Sequence, residues 1–308
     1  MAFVKTGTYF NKQSYLLENE KLCVEFIASG SRMISFYDKT CGAERLLQSD
    51  RDCFIPRIYG SSMPDCDPCG FDEMFPTIDR CFCEAEPWRG TEMPDHGEVW
   101  ALDWEARTEE HAVSFLVSGI RFPYTLKKTV KFTNAETIRM EYRLINNSSF
   151  PFPFLWAAHP MLQLKAGTIV MIPPECRTGY TICGGGDVLG AYGDVFDLAG
   201  IPGMKRGEKD LTFRFERRDG CEQKYYIRQP LTNGFVQLLY PDAGKLKFHF
   251  DTKKTPYLGL LFNDEEEGWG IVEPATAPYD RVDIAGRYGL VKPLEPFGER
   301  SWYLEMGI

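Results

Sequence analysis

Short runs of alternating apolar and polar residues recur along most of the chain. Within residues 21–27, for example, Leu22, Val24 and Phe26 fall on one side and the intervening residues on the other. A period of two is that of a β-strand with one buried and one solvated face. Turn-forming residues separate the runs, and the 3.6-residue period of helices is nearly absent. The pattern therefore predicts an antiparallel, all-β protein. The predicted strands are residues 21–27, 32–38, 112–118, 125–133, 138–144, 168–172, 211–217, 224–228, 235–240, 245–251, 257–262, 268–272 and 300–306.

The segment that follows one of these strands carries a histidine with a defined backbone. Residues 138–144 alternate, residues 146–149 (Asn-Asn-Ser-Ser) form a turn, and the chain returns through Trp156 to His159. Pro160 restricts the preceding residue to an extended conformation. We expect His159 to face a cavity; the alternative is a core histidine bonded to a backbone carbonyl.

Two regions lack the alternation, namely residues 57–94 and 179–207, and both are predicted to be long loops. Loops of this length are usually functional or disordered. Aromatic residues in the first favour an ordered, packed loop. No repeat or linker interrupts the 308 residues, and 44% hydrophobic residues suffice for a core, so we expect one domain over residues 1–308.

Charge and hydropathy exclude several classes of partner. The 44 acidic and 35 basic residues are spread along the chain and give a net charge of −9. Nucleic-acid binding requires clustered lysine and arginine, which are absent from the sequence. Apolar runs are too short to span a membrane, and the first residues do not have the pattern of a signal peptide. The sequence therefore predicts a cytoplasmic protein.

Ten cysteines raise the question of a metal site. Cys66 and Cys69 form a C-x-x-C pair, which is a common half of a zinc site, and Cys81 and Cys83 follow as C-x-C. No histidine lies nearby at ligand spacing, and no βαβ pattern indicates a redox motif. Free thiols are the preferred interpretation in a reducing compartment, with zinc as the alternative.

Two further residues are candidates for acid–base chemistry. His96 precedes Gly97, which allows close approach of the backbone to a neighbour. Glu273 ends an apolar strand before Pro274, and a partly desolvated carboxylate has a raised pKa that suits a general base. The alternatives are an ordinary loop histidine and a strand-end glutamate in a turn. The remaining histidines, at positions 111 and 249, are expected at the surface.

Taken in order, three motifs resemble the aldose 1-epimerase (galactose mutarotase-like) family. They are Asp95-His96-Gly97, then Trp156-Ala-Ala-His159-Pro160, then Glu273-Pro274 followed by Pro278-Tyr-Asp280. Residues 17–22 and 31–40 also resemble that family's first strands.

The resemblance implies a β-supersandwich with an open cleft that binds a pyranose. It implies that Glu273 is the general base, His159 the general acid, and His96 a residue that holds and polarises the sugar. Such chemistry needs a small carbohydrate and no cofactor. Glycoside hydrolysis, which needs two carboxylates, and carbohydrate binding without catalysis are the alternatives.

The residues that bind the sugar are less clearly marked. Aromatic rings cover the apolar face of a sugar and carboxylates accept from its hydroxyls. On these grounds five residues are expected to contact it: Asp72, Glu73, Phe75, Trp100 and Trp156. Arg57 is a sixth candidate, as a counterpart of the arginine that the family resemblance implies. For Asp72 and Glu73 the alternative is a loop anchored by its aromatic residues, with both acids in solvent. Burial in the core is the alternative for the tryptophans. A phosphorylated sugar would require convergence of basic residues such as Arg57, Arg80 and Arg89.

Overall fold

The computed structural model describes residues 3–63, 66–184, 189–216, 222–263 and 268–308. Two large antiparallel sheets, of 12 and 10 strands, make up most of it. The strands of the first sheet, in spatial order, are β1 (Phe3–Tyr9), β2 (Lys12–Glu18), β3 (Leu22–Ile27), β4 (Met33–Asp38), β6 (Phe71–Met74), β13 (Ala157–Gln163), β23 (Trp269–Ala275), β22 (Tyr257–Asn263), β19 (Glu222–Ile227), β15 (Thr178–Cys183) and β16 (Val195–Asp197), with β5 (Ala43–Glu44) beside β4.

The second sheet contains the longest strands. In spatial order they are β17 (Lys205–Arg206), β18 (Leu211–Arg214), β14 (Ile169–Ile172), β20 (Phe235–Leu239), β21 (Lys245–Phe250), β24 (Glu299–Gly307), β12 (Thr137–Asn146), β11 (Tyr124–Asn134), β10 (Ala112–Ser118) and β9 (Glu105–Thr108). A separate hairpin pairs β7 (Cys81–Phe82) with β8 (Glu92–Met93).

Helices are few and short in the part of the chain that the structure describes. One α-helix, α1 (Val282–Arg287), follows β23, and 3₁₀ turns occur at Val99–Ala101 and Leu198–Gly200. Within the described ranges, no helix is long and apolar enough to cross a membrane.

The alternating pattern places one face of each sheet in a common core. In β12, every second residue is buried and the residues between them are more exposed. Tyr142 of this strand packs against Trp302 and against Trp156, with ring centroids 5.4 and 4.8 Å apart. Each such buried aromatic contributes roughly 1.5–3 kcal/mol through removal from water. The prediction of an antiparallel all-β fold is confirmed.

The two regions predicted to be loops contain strands. β6 lies in the middle of the first sheet, between β4 and β13, although it falls within residues 57–94. All four of its residues are buried, so its two faces do not differ in polarity and produce no alternation. β15, β16 and β17 fall wholly or partly within residues 179–207. Residues 185–188 of that region and residue 217, at the end of a predicted strand, lie outside the described residues.

Candidate functional site

Three neighbouring strands of the first sheet place His159 between two carboxylates. On one side β13 pairs with β6, and His159 is directly opposite Asp72. On the other side β13 pairs with β23 in a register that sets His159 level with Glu273. Residues opposite each other in adjacent strands project from the same face, so residues far apart in sequence meet on one surface.

A glycine in the next strand allows the glutamate to reach a tyrosine. Gly259 of β22 pairs with Glu273 on one side and with Tyr226 of β19 on the other. A Cβ atom on Gly259 would lie 2.7 Å from Glu273 Oε2 and 2.9 Å from Tyr226 Cε1. Because no side chain intervenes, the Tyr226 hydroxyl lies 3.1 Å from Glu273 Oε2.

A lysine and a second carboxylate complete this arrangement. Lys224 Nζ lies 3.0 Å from Glu273 Oε1 and 2.9 Å from Asp280 Oδ1. The Tyr226 hydroxyl lies 3.0 Å from the same Asp280 oxygen. Glu273, Asp280, Lys224 and Tyr226 therefore form a closed, buried group, which we term the Lys224 cluster. Buried charges are tolerated when they are paired and hydrogen-bonded in this way.

The residues of the Lys224 cluster shift one another's pKa values. Burial raises the pKa of Glu273 and Asp280 adds to the rise, while Lys224 and Tyr226 oppose it. Burial disfavours the charge on Lys224, but Asp280 and Glu273 more than compensate and raise the pKa of its ammonium. Lys224 is therefore a permanent cation near neutral pH.

A second histidine reaches His159 from a strained loop. The ring centroids of His96 and His159 are 5.1 Å apart and the rings are perpendicular. His96 has φ +57°, a left-handed conformation that is uncommon outside glycine. The next residue, Gly97, pairs with Phe75, and a Cβ on it would lie 2.0 Å from the Phe75 carbonyl oxygen. The predicted close approach of the backbone at Gly97 is confirmed.

The two imidazoles differ in environment. His96 Nδ1 lies 3.2 Å from Asp95 Oδ1. Burial opposes ionisation of Asp95, yet His96 and the Met63 N–H hold the pKa of Asp95 below its usual value. Burial lowers the pKa of His159 well below its usual value, and His96 and Lys224 lower it further. Among the described residues, neither His96 Nδ1 nor His159 Nδ1 has a hydrogen-bond partner.

His96, His159, Lys224 and Asp280 border a cleft of about 550 Å³, whereas Glu273 and Tyr226 are fully buried and are not among its lining residues. Its polar side chains include Asp79, Asp95, His96, His159, Lys224, Glu222 and Asp280, and its apolar side chains include Met63, Met161, Leu261, Trp269 and Ile271. Met161, Ile271 and Leu261 pair across β13, β23 and β22, one row along from His159 and Glu273. The cleft thus has a polar end beside the histidines and an apolar shelf next to it.

Three residues expected to contact a sugar lie between the sheets instead. Glu73 binds Lys128 Nζ at 2.9 Å and accepts hydrogen bonds from Tyr142 and Trp156 at 2.9 and 3.0 Å. It is adjacent to Asp72 in β6, and adjacent residues of a strand face opposite sides, so Glu73 points away from the cleft. Trp156 shares this core location. The Phe75 ring packs in the same interior, 4.6 Å from the Tyr124 ring.

The other three expected contacts lie behind the histidines. Arg57 donates a hydrogen bond to Asp72 Oδ1, and both side chains are almost fully buried. The Arg57 guanidinium is 5.2 Å from the Trp100 ring, which is 5.2 Å from the His96 ring. These residues support His96 and His159 and do not border the cleft.

The arginines proposed to bind a phosphate do not converge. Arg57 is engaged by Asp72, while Arg80 pairs with Glu92 at 2.8 Å and is exposed. Arg89 pairs with Glu86 at 2.7 Å and is also exposed.

The cysteine motif is dispersed. The nine cysteines within the described segments are free thiols. Cys69 lies 3.6 Å from an Arg32 nitrogen, and Cys81 lies 3.5 Å from the Thr77 hydroxyl. No group of three or more His, Cys, Asp or Glu side chains in the described part of the chain could hold a metal ion.

Three residues of the site had no prediction attached to them, namely Lys224, Tyr226 and Gly259. Lys224 and Tyr226 lie in an ordinary alternating run, in which a lysine normally faces solvent. Gly259 is the residue whose position in the sequence could have indicated this site, because glycine inside an apolar strand often marks a close approach of another group.

No family model and no curated protein matches the chain. Solved structures do match it over nearly its full length. A protein from Synechocystis sp. PCC 6803 superimposes with a TM-score of 0.72 at 17% identity, covering 98% of each chain. A galactose mutarotase related enzyme from Lactobacillus acidophilus superimposes with a TM-score of 0.69 at 15% identity, covering 96% of each chain. A galactose mutarotase-like protein from Lactobacillus casei ATCC 334 gives 0.69 at 18% identity, covering 95% of this chain and 98% of that one. The chain therefore has the galactose mutarotase-like β-sandwich fold, as the resemblance in sequence predicted.

Proposed function

We propose that this protein is a mutarotase of the aldose 1-epimerase type, which interconverts the α and β anomers of an unphosphorylated aldose. The observation that carries the proposal is the placement of Glu273 level with His159 on adjacent strands, with the His96 ring 5.1 Å from that of His159. The fold and the cleft of about 550 Å³ support it. The volume suits a small, mostly buried ligand.

Mutarotation requires one base and one acid at a single carbon centre. Glu273 takes the proton of the anomeric hydroxyl, and the C1–O5 bond breaks with its electron pair moving to the ring oxygen. His159 delivers a proton to that oxygen, giving the open-chain aldehyde. After rotation about C1–C2, O5 attacks either face of C1, Glu273 returns its proton to O1, and His159 recovers its own. Each proton-transfer partner typically supplies about 10²–10⁴-fold.

The environments of the two groups suit this exchange. In net terms a proton moves from His159 to Glu273 through the sugar and later returns. Burial raises the pKa of Glu273, which makes its carboxylate a stronger base. Burial lowers the pKa of His159, which makes its imidazolium a stronger acid.

The charges of the cleft favour a neutral substrate. Asp79, Asp95, Glu222 and Asp280 border it, and Lys224 is the single Lys or Arg among its described lining residues. Lys224 is already bound to two carboxylates. A sugar phosphate entering this cleft would meet like charge without the arginine or lysine partners that such groups need.

A glycoside hydrolase requires a second carboxylate facing the substrate. The two candidates considered from the sequence do not fit, since Glu73 faces the core and Asp72 is bonded to Arg57. The carboxylate pair considered from the sequence is therefore not available for glycoside hydrolysis.

The proposal can be tested by measuring anomer exchange directly. Magnetisation-exchange NMR with purified protein would be run on a panel of neutral aldoses and on hexose 6-phosphates. We expect exchange to be accelerated for one or more neutral aldoses and not for the phosphates. Saturable sugar binding without acceleration would identify a carbohydrate-binding protein instead and refute the proposal.

A further inference from the structure

Lys224 is the part of the site whose role is not explained by acid–base exchange. Its side chain is 7% exposed, it borders the cleft, and Glu273 lies directly behind it with no exposure. Removing an ammonium from water is costly, so a buried lysine needs strong partners. Lys128 is also fully buried against a glutamate, but that pair lies between the sheets. The described residues thus include two buried lysine–glutamate pairs of similar geometry, one at the cleft and one in the core.

The charges that face Glu273 do not balance without Lys224. From β19 come the ammonium of Lys224 and the hydroxyl of Tyr226, from the segment after β23 comes Asp280, and from β13 comes His159. Two carboxylates that share the same two partners repel each other, and at least one would bind a proton if no cation were present. Tyr226 can donate its single proton to only one of them at a time.

We propose that Lys224 is the positioning residue for the base: its ammonium keeps the buried Glu273 ionised and holds Oε1, while Tyr226 holds Oε2. Asp280 fixes the ammonium from the other side, so that Lys224 stays beside Glu273 when the cleft is empty. The inference rests on the proposed function, because it assigns Lys224 to the base of that reaction. It adds a charged residue that the sequence motifs do not contain.

The test uses Lys224→Met, which keeps an unbranched side chain, one heavy atom shorter, and removes the charge. The protonated carboxyl band of Glu273 would be followed against pH by infrared difference spectroscopy, with Glu273→Gln to identify the band. An opposite charge at this distance typically lowers a carboxyl pKa by about 1–3 units. We therefore expect half-protonation to move upward by about 1–3 pH units. The pH optimum of anomer exchange should move upward with it, since Lys224 lowers the pKa of His159 as well.

Lys128→Met is the matched control. It removes the buried lysine that lies between the sheets, and we expect lower stability with an unchanged infrared titration of Glu273 and an unchanged pH optimum. Tyr226→Phe is a second variant in case Lys224→Met does not fold. It removes one hydrogen bond and leaves the ammonium, so a smaller upward shift is expected.

The possible failures are distinguishable. An infrared titration of Glu273 that does not move in Lys224→Met overturns the role assigned to Lys224. A shift of about 1–3 pH units in Tyr226→Phe also overturns it, because that variant keeps the ammonium. A rate that falls equally at all pH values also overturns it, because that is the effect of structural damage. Absence of exchange in the wild-type protein would refute the proposed function, and the infrared titration would still report whether Lys224 controls Glu273.

Discussion

Replacing Gly259 with alanine should separate the base from one of its two partners. The added Cβ would lie 2.7 Å from Glu273 Oε2 and 2.9 Å from Tyr226 Cε1, closer than real Cβ contacts allow. Gly259 does not have a positive φ, so the backbone accepts alanine and the whole effect comes from this crowding. The two side chains must move apart, and the 3.1 Å contact between hydroxyl and carboxylate is lost.

The magnitude follows from the bond that is lost. A hydrogen bond to a charged group contributes about 1.5–3 kcal/mol. If this interaction holds the base in place during the reaction, its loss lowers the exchange rate by about 10- to 100-fold, because each 1.4 kcal/mol corresponds to a factor of about ten. Overpacking adds roughly 1–3 kcal/mol of lost stability. The rate would be measured by magnetisation-exchange NMR and the stability by urea unfolding.

Gly270→Ala is the control for crowding alone. A Cβ at Gly270 would lie 2.7 Å from Leu164 Cδ1 and 2.8 Å from Phe262 Cδ1, which is comparable crowding against side-chain carbons. Gly270 lies three residues before Glu273 in the same strand and therefore faces the opposite side of the sheet. We expect it to lose stability and retain the exchange rate. A wild-type rate in Gly259→Ala, or equal rate losses in both variants, would refute the reasoning.

Two further predictions concern charged groups outside the reaction. Glu73→Gln should leave the exchange rate of the folded protein unchanged but cost about 3–5 kcal/mol in urea unfolding, because Lys128 is left buried without a counter-charge; a rate loss without a stability loss would return Glu73 to the site. Asp242 is bound by Arg45, and although burial opposes ionisation, Arg45 and the Gly244 N–H lower the pKa of Asp242 to about 2. A carboxyl group with a depressed pKa stabilises the fold at pH values above its unfolded-state pKa. This stabilisation is lost as the pH falls through its folded-state pKa. We therefore expect Asp242→Asn to lower the free energy of unfolding by about 2 kcal/mol at neutral pH, at about 1.36 kcal/mol per pKa unit. In urea unfolding, the difference from wild type should shrink between about pH 4 and pH 2. A difference that does not depend on pH would contradict this prediction.

Alternation of polarity predicted most strands because most of them have one buried and one exposed face. It could not predict β6, whose four residues are all buried. The same strand explains why Asp72 and Glu73 were not separated in advance. Both are acidic and adjacent, and only the register with β13 shows that one is beside His159 and the other faces the second sheet.

The three residues linked by sequence motifs, His96, His159 and Glu273, are brought together by the fold. Motifs of this kind can be found in sequence because each residue carries a distinct neighbour, such as a following glycine or proline. The partners of Glu273 could not be found in this way. Tyr226 meets Glu273 because Gly259 of the intervening strand has no side chain, and this relation depends on strand order.

The central claim is that Glu273 and His159 act as a base and an acid on one sugar. The most direct test is magnetisation-exchange NMR of Glu273→Gln and His159→Asn, with the exposed His249→Asn as the control. Glu273→Gln preserves side-chain shape, His159→Asn leaves a smaller polar side chain, and each removes one proton-transfer group. Each should lower the exchange rate by about 10²–10⁴-fold while urea unfolding still shows a folded protein, and the control should exchange at the wild-type rate. Exchange at the wild-type rate in either Glu273→Gln or His159→Asn would contradict the account.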